Sequence, residues 1–149
     1  MRPTSRMIAF TLFAIVTVEF GGWSLLGMLT SQGAISEFEE QFFRAGHAHA
    51  GVLLTLALVY FVLMDRTDFD ARRQRLLGLT LLTGILLQSG GFFLHMLVGE
   101  EGGSSSGTLI TRIGAVLLAV ALIGLGVGVL RSDGNRSALE GLDPKRQTG

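Results

Sequence analysis

The chain has 149 residues, a length that suits one domain. Hydrophobic residues make up 48% of it and the mean hydropathy is +0.51, which is high for a soluble protein and indicates a membrane protein. The sequence has no cysteine, which excludes disulfides, thiolate metal sites, iron–sulfur clusters and covalently attached haem, and its twelve basic and twelve acidic residues cancel in net charge.

Four apolar runs are long enough to cross the hydrocarbon core, which takes about 20 helical residues. They cover residues 7–29, 45–64, 76–98 and 109–130. The first run follows a basic opening, but it is too long for a signal peptide and no small-residue cleavage site follows it, so we expect it to be retained, with cleavage as the alternative. Short connections predict an all-α integral membrane domain over residues 1–130, a four-helix bundle of up-down-up-down antiparallel topology.

The basic residues are concentrated in the N-terminal segment, in the loop between the second and third spans, and in the tail. By the positive-inside rule we expect both termini to be cytoplasmic, with a bacterial inner membrane as host and no nucleic-acid partner. In the first outer loop, "ISEFEEQFF" predicts a short amphipathic helix at the membrane interface. The tail, residues 131–149, has too little apolar surface to fold alone and is expected to be disordered.

Two polar residues fall near the bilayer midplane. Glu19 lies about 16 Å and Gln88 about 18 Å into a core about 30 Å thick. A carboxyl group at that depth is costly, so we expect Glu19 to be protonated or paired with a polar neighbour such as Gln88. Glu19 either marks a proton or ion path or joins helices through a hydrogen bond.

All three histidines fall in the outer leaflet. His47 and His49 open the second span in "HAHAG", a run similar to the histidine-bearing helices of haem-containing oxidase and reductase subunits. On a regular helix the two residues are about 200° apart, so they cannot both ligate one ion. We expect His49 to face the bundle opposite His95, with His47 at the outer interface or against a partner; the alternative turns His47 inward.

The third span carries a stripe of small and polar residues, which predicts that this face is turned into the bundle or towards another subunit. Its members are Thr80, Gly84, Gln88, Gly91 and His95. Arg112, near the outer end of the fourth span, either reaches back to the interface near Glu100 or Glu101, or serves as counter-ion to an acidic ligand or a haem propionate.

The sequence contains no catalytic signature, so the leading hypothesis is an accessory or assembly subunit of a larger membrane complex, in a homo-oligomer or with other membrane subunits. One alternative is a b-type haem or quinone-linked redox protein that uses His47 or His49 together with His95, and Arg112 for a propionate. Another is movement of protons or divalent metal ions through an oligomer, with His47, His49 and His95 as metal ligands.

Overall fold

The computed structural model describes residues 3–31 and 35–141, and it describes side chains for 4–31 and 35–134. The chain forms four α-helices: α1 (Pro3–Thr30), α2 (Glu37–Met64), α3 (Ala71–Val98) and α4 (Ser106–Gly141). No strand occurs among the described residues, which confirms the all-α prediction. All four helices are long and apolar enough to cross a membrane, as expected of a multi-pass membrane protein.

Two boundaries differ from the sequence expectations. The segment "ISEFEEQFF", residues 35–43, was expected to hold a short amphipathic helix in the first outer loop; from Glu37 onward it forms the first turns of α2, because a capping box starts the helix there. In that box Ser36 Oγ accepts from the Glu39 backbone N–H at 3.2 Å and the Glu39 carboxylate accepts from the Ser36 N–H at 2.7 Å. At the other end α4 continues through residues 131–141, which were expected to be disordered; the rest of that tail lies outside the described residues.

Helices α3 and α4 are in backbone contact through glycines. A Cβ atom added to Gly91 of α3 would lie 2.7 Å from the carbonyl oxygen of Gly107 in α4, and one added to Gly114 would lie 2.8 Å from the carbonyl oxygen of Gly84. The glycines repeat at intervals of seven on each helix, a spacing that suits left-handed packing of membrane helices. This is the face of α3 that the stripe of small and polar residues predicts to be turned into the bundle.

The other contacts join α2 to each of the three other helices and leave α1 loosely attached. Tyr60 in α2 is almost fully buried, and its hydroxyl donates to the carbonyl oxygen of Ala121 in α4 at 3.1 Å. Thr4 at the start of α1 donates to the Asp65 carboxylate just after α2 at 2.9 Å. Within the described part of the chain α1 does not touch α4, and it is the least buried of the four spans.

Candidate functional site

A cleft of about 980 Å³ lies between α1, α2 and α3. Its lining is mostly apolar, and it includes the exposed side chains of Leu79 and Leu86, so the cleft opens sideways to the surroundings of the helices. Arg6 and Arg75 lie at one end and His47 at the other. The cleft therefore runs along the helices, with charge at one end and an imidazole at the other.

Two phenylalanine rings close the His47 end of the cleft. The rings of Phe43 and Phe93 meet edge to face, with centroids 5.3 Å apart and planes at 88°. The Phe93 ring packs against Gly46, where an added Cβ atom would lie 2.9 Å from the ring. Because Gly46 has no side chain, Phe93 can approach α2 closely enough to form this aromatic wall.

His47 faces α1 and the cleft. A Cβ atom added to Gly22 of α1 would lie 3.1 Å from His47 Nε2, and one added to Gly21 would lie 3.5 Å from Nδ1. The two glycines of α1 therefore leave the space that the imidazole occupies. Among the described residues His47 is the one histidine that lines the cleft.

His49 points to a different surface of α2, as the 200° separation requires. Its Nδ1 donates to the carbonyl oxygen of Ala45 at 2.8 Å, since a carbonyl can only accept. The ring packs on Phe92 of α3 with centroids 4.7 Å apart. Both histidines therefore face other helices. His49, which was expected to face the bundle, packs against α3, while His47 lines the cleft.

His95 is buried beneath the loop that joins α3 to α4. Its Nδ1 lies 2.7 Å from the Ser105 hydroxyl oxygen, which accepts a hydrogen bond from the Gly107 backbone N–H at 3.1 Å. The Phe42 ring meets the His95 ring edge-on, with centroids 4.4 Å apart. Held in this way, His95 ties the end of α3 to the start of α4.

The three histidines therefore lie in three separate environments. Within the described parts of the chain, no three His, Asp or Glu side chains come close enough to hold a metal ion. His49 and His95 contact aromatic rings of neighbouring helices and do not line the cleft, so the cleft wall holds His47 without a second histidine.

Glu19 and Gln88 lie on different surfaces. Glu19 is exposed on the outer side of α1, whereas Gln88 is half-buried where α3 meets α4. There the Gln88 backbone carbonyl oxygen accepts a long hydrogen bond, 3.4 Å, from the Thr111 hydroxyl of α4. Arg112 is exposed on α4 and does not line the cleft.

The exposed side of α1 carries a heptad pattern that sequence reasoning missed. Its members recur at spacings of four, three, four, three and four, all of them exposed, and we call them the α1 seam: Leu12, Val16, Glu19, Trp23, Leu26 and Thr30. The spacing was visible in the sequence, but a uniformly apolar helix offers no sign of which face stays uncovered.

Ser89 is the second residue that sequence reasoning missed. Its side chain lines the cleft and is 5% exposed, and its hydroxyl has no hydrogen-bond partner among the described residues. One serine in an apolar span gives no distinct signal in a sequence, because most such hydroxyls bond to their own helix.

Comparison of the chain with known protein families, with curated proteins and with solved structures found no match, so the proposals below rest on the residues and their geometry.

Proposed function

We propose that this protein is an accessory or assembly subunit of a larger membrane complex, and that the α1 seam packs against a transmembrane helix of another subunit. One observation carries the proposal: Glu19 stands exposed at the centre of a seam that is otherwise almost entirely apolar. Lipid tails offer no partner to a carboxyl group, so this face of α1 needs a protein neighbour.

The free energies favour a helix partner over lipid. An acidic residue at the centre of a membrane helix costs about 2.5–3.5 kcal/mol on insertion scales. A hydrogen bond from a neighbouring helix offsets part of that cost, by about 0.6–2 kcal/mol in measured membrane proteins. The seam's large side chains, Trp23 (70% exposed) and Val16 (65% exposed), add apolar contact area on both sides of Glu19.

The seam also suggests the geometry of the partner. Heptad spacing suits a helix that crosses α1 at about 20°, and one polar residue within such a seam fixes the register and the number of helices. The charge distribution supports cytoplasmic termini and an up-down-up-down path, which puts Glu19 near the midplane. The partner helix accordingly carries a hydrogen-bond donor at that depth; a second copy meets this requirement when Glu19 is protonated.

The haem and metal alternatives lack a comparable observation. Haem bound between two imidazoles needs both on one cavity, and His47 alone lines the cleft among the described residues. A metal path needs clustered ligands, and the described part of the chain contains no cluster of three or more His, Asp or Glu side chains. The haem and metal hypotheses therefore have less structural support than the assembly role.

The experiment is site-specific photo-crosslinking in the native membrane. A benzophenone amino acid replaces Val16 or Leu26 in the seam and, as matched controls, Val116 or Ile123, which are similarly exposed on α4. We expect discrete crosslinks to a transmembrane protein or a second copy from the seam only. These crosslinks are expected to disappear in a Glu19→Leu background and to persist with Glu19→Gln, which keeps a hydrogen-bonding group.

Lipid adducts alone at the seam positions would contradict the proposal. So would seam crosslinks that are unchanged by Glu19→Leu, because the partner would then be held by apolar contact without the carboxyl group.

A further inference from the structure

Ser89 has a hydroxyl group that its own helix does not use. Elsewhere in the chain, exposed Thr55 and half-buried Thr80 donate to the carbonyl oxygen four residues earlier, at 2.9 Å in each case. Ser89 makes no such bond and its hydroxyl has no other partner among the described residues, although the residue is only 5% exposed. A buried hydroxyl without a partner is unfavourable. The oxygen is covered in the rotamer observed, so an occupant of the cleft reaches it through a change of χ1 that turns the hydroxyl towards the cavity lined by Ser89.

His47 offers a second hydrogen-bonding group at a similar level. Phe93, one helical turn beyond Ser89, packs on Gly46, the residue before His47. His47 and Ser89 are therefore separated by about one turn, ~5 Å, along the helices. None of the hydrogen bonds in the described part of the chain uses the His47 ring, so its N–H can donate to an acceptor within the cleft.

The aromatic wall at this end suits a flat ligand. Phe43 and Phe93 close the cleft beside His47, and their rings can pack against a planar ring as they pack against each other. An acyl chain would gain no such contact and would leave the Ser89 hydroxyl and the His47 N–H unpaired.

The rest of the cleft suits a long apolar tail. From Ser89 to Arg75, fourteen residues of α3 extend for about 21 Å. Leu86, Leu82 and Leu79 line this length, and the sideways opening lets a tail enter from the bilayer.

We propose that the cleft binds a quinone with an isoprenoid tail, its ring between His47 and Ser89 and its tail along α3 towards Arg75. A quinone combines the features that the cleft requires: a planar ring, carbonyl oxygens that accept hydrogen bonds from the imidazole and the hydroxyl, and an apolar chain. This site is separate from the α1 seam, so it does not depend on the assembly role.

The test is a binding titration with the full chain in phosphatidylcholine nanodiscs. The probe is a benzoquinone with one isoprenoid unit, and binding is followed by the rise in the thermal midpoint measured by circular dichroism. We expect saturable stabilisation of the wild type. Ser89→Ala is expected to weaken binding about tenfold, the loss typical of one hydrogen bond, and His47→Phe to do the same.

The matched control is Thr55→Val, which removes a hydroxyl from an exposed face of α2 outside the cleft. It is expected to leave quinone binding unchanged. Ser89→Ala is also expected to leave the ligand-free midpoint unchanged or higher, because it removes an unpaired buried hydroxyl, so weaker binding cannot be attributed to unfolding.

Three results would overturn the inference. The first is no saturable effect of the quinone on the wild type, and the second is equal binding by the Ser89→Ala and Thr55→Val variants. The third is displacement of the probe when phosphatidylglycerol replaces phosphatidylcholine, which would identify the occupant as an anionic lipid held by Arg6 and Arg75.

Discussion

Replacing Gly91 by alanine is expected to force α3 and α4 apart. The added Cβ atom would lie 2.7 Å from both the carbonyl oxygen of Gly107 and the backbone nitrogen of Thr111. Non-bonded heavy atoms are at their best separation near ~3.5 Å, so the backbones must separate by roughly 0.8 Å. Overpacking of this kind costs about 1–3 kcal/mol, and here the contacted atoms are backbone, which cannot move aside as a flexible side chain can.

Gly90 provides a control one residue away. A Cβ atom added there meets nothing within 4 Å, so Gly90→Ala has no steric penalty. Alanine also favours helix over glycine by up to about 1 kcal/mol. Both variants share that gain, so it cancels in their difference, and we expect Gly91→Ala to be less stable than Gly90→Ala by the steric cost, roughly 1–3 kcal/mol.

The assay is equilibrium unfolding in mixed micelles of mild detergent and SDS, followed by far-ultraviolet circular dichroism. Gly114→Ala is expected to behave as Gly91→Ala does, and Gly126→Ala as Gly90→Ala does, because Gly126 also faces open space. Equal stability of the Gly90→Ala and Gly91→Ala proteins would refute direct backbone contact between α3 and α4.

The same unfolding assay tests three further substitutions. His95→Leu removes the hydrogen bond to Ser105 and is expected to lower the free energy of unfolding by about 1–3 kcal/mol; no change would show that His95 does not hold the loop. Tyr60→Phe deletes the hydrogen bond to the Ala121 carbonyl and should cost about 0.5–1.5 kcal/mol, whereas a neutral result would remove this link between α2 and α4. Ser36→Ala removes the N-cap of α2 and is expected to cost about 1 kcal/mol, with hydrogen exchange accelerated in the first turn alone; acceleration throughout α2 would contradict a local cap.

Sequence reasoning located the helices because the bilayer leaves few choices for the backbone. A run of about 20 apolar residues must satisfy its N–H and C=O groups internally, so length and composition suffice to predict α1 to α4. The inward face of α3 was also predictable, since Gly91 and His95 share one side of the helix with other small and polar residues. Helix ends were harder: the Ser36 cap extends α2 to Glu37, beyond its apolar run.

The candidate sites depended on information that a single sequence lacks. Helical geometry separates His47 from His49, but only the position of α1 decides which of them meets the cleft. Glu19 was recognisable as costly, yet its exposure follows from how α1 docks on α2. Ser89 became conspicuous only when the structure left its hydroxyl buried and unpaired.

The most direct test of the assembly role is the mass of the particle extracted from its native membrane in mild detergent, measured by native mass spectrometry. We predict a particle heavier than the 15.9 kDa chain, retained by Glu19→Gln and dissociated by Glu19→Leu. A 15.9 kDa particle for the wild type, or a heavier one that Glu19→Leu leaves intact, would contradict the account.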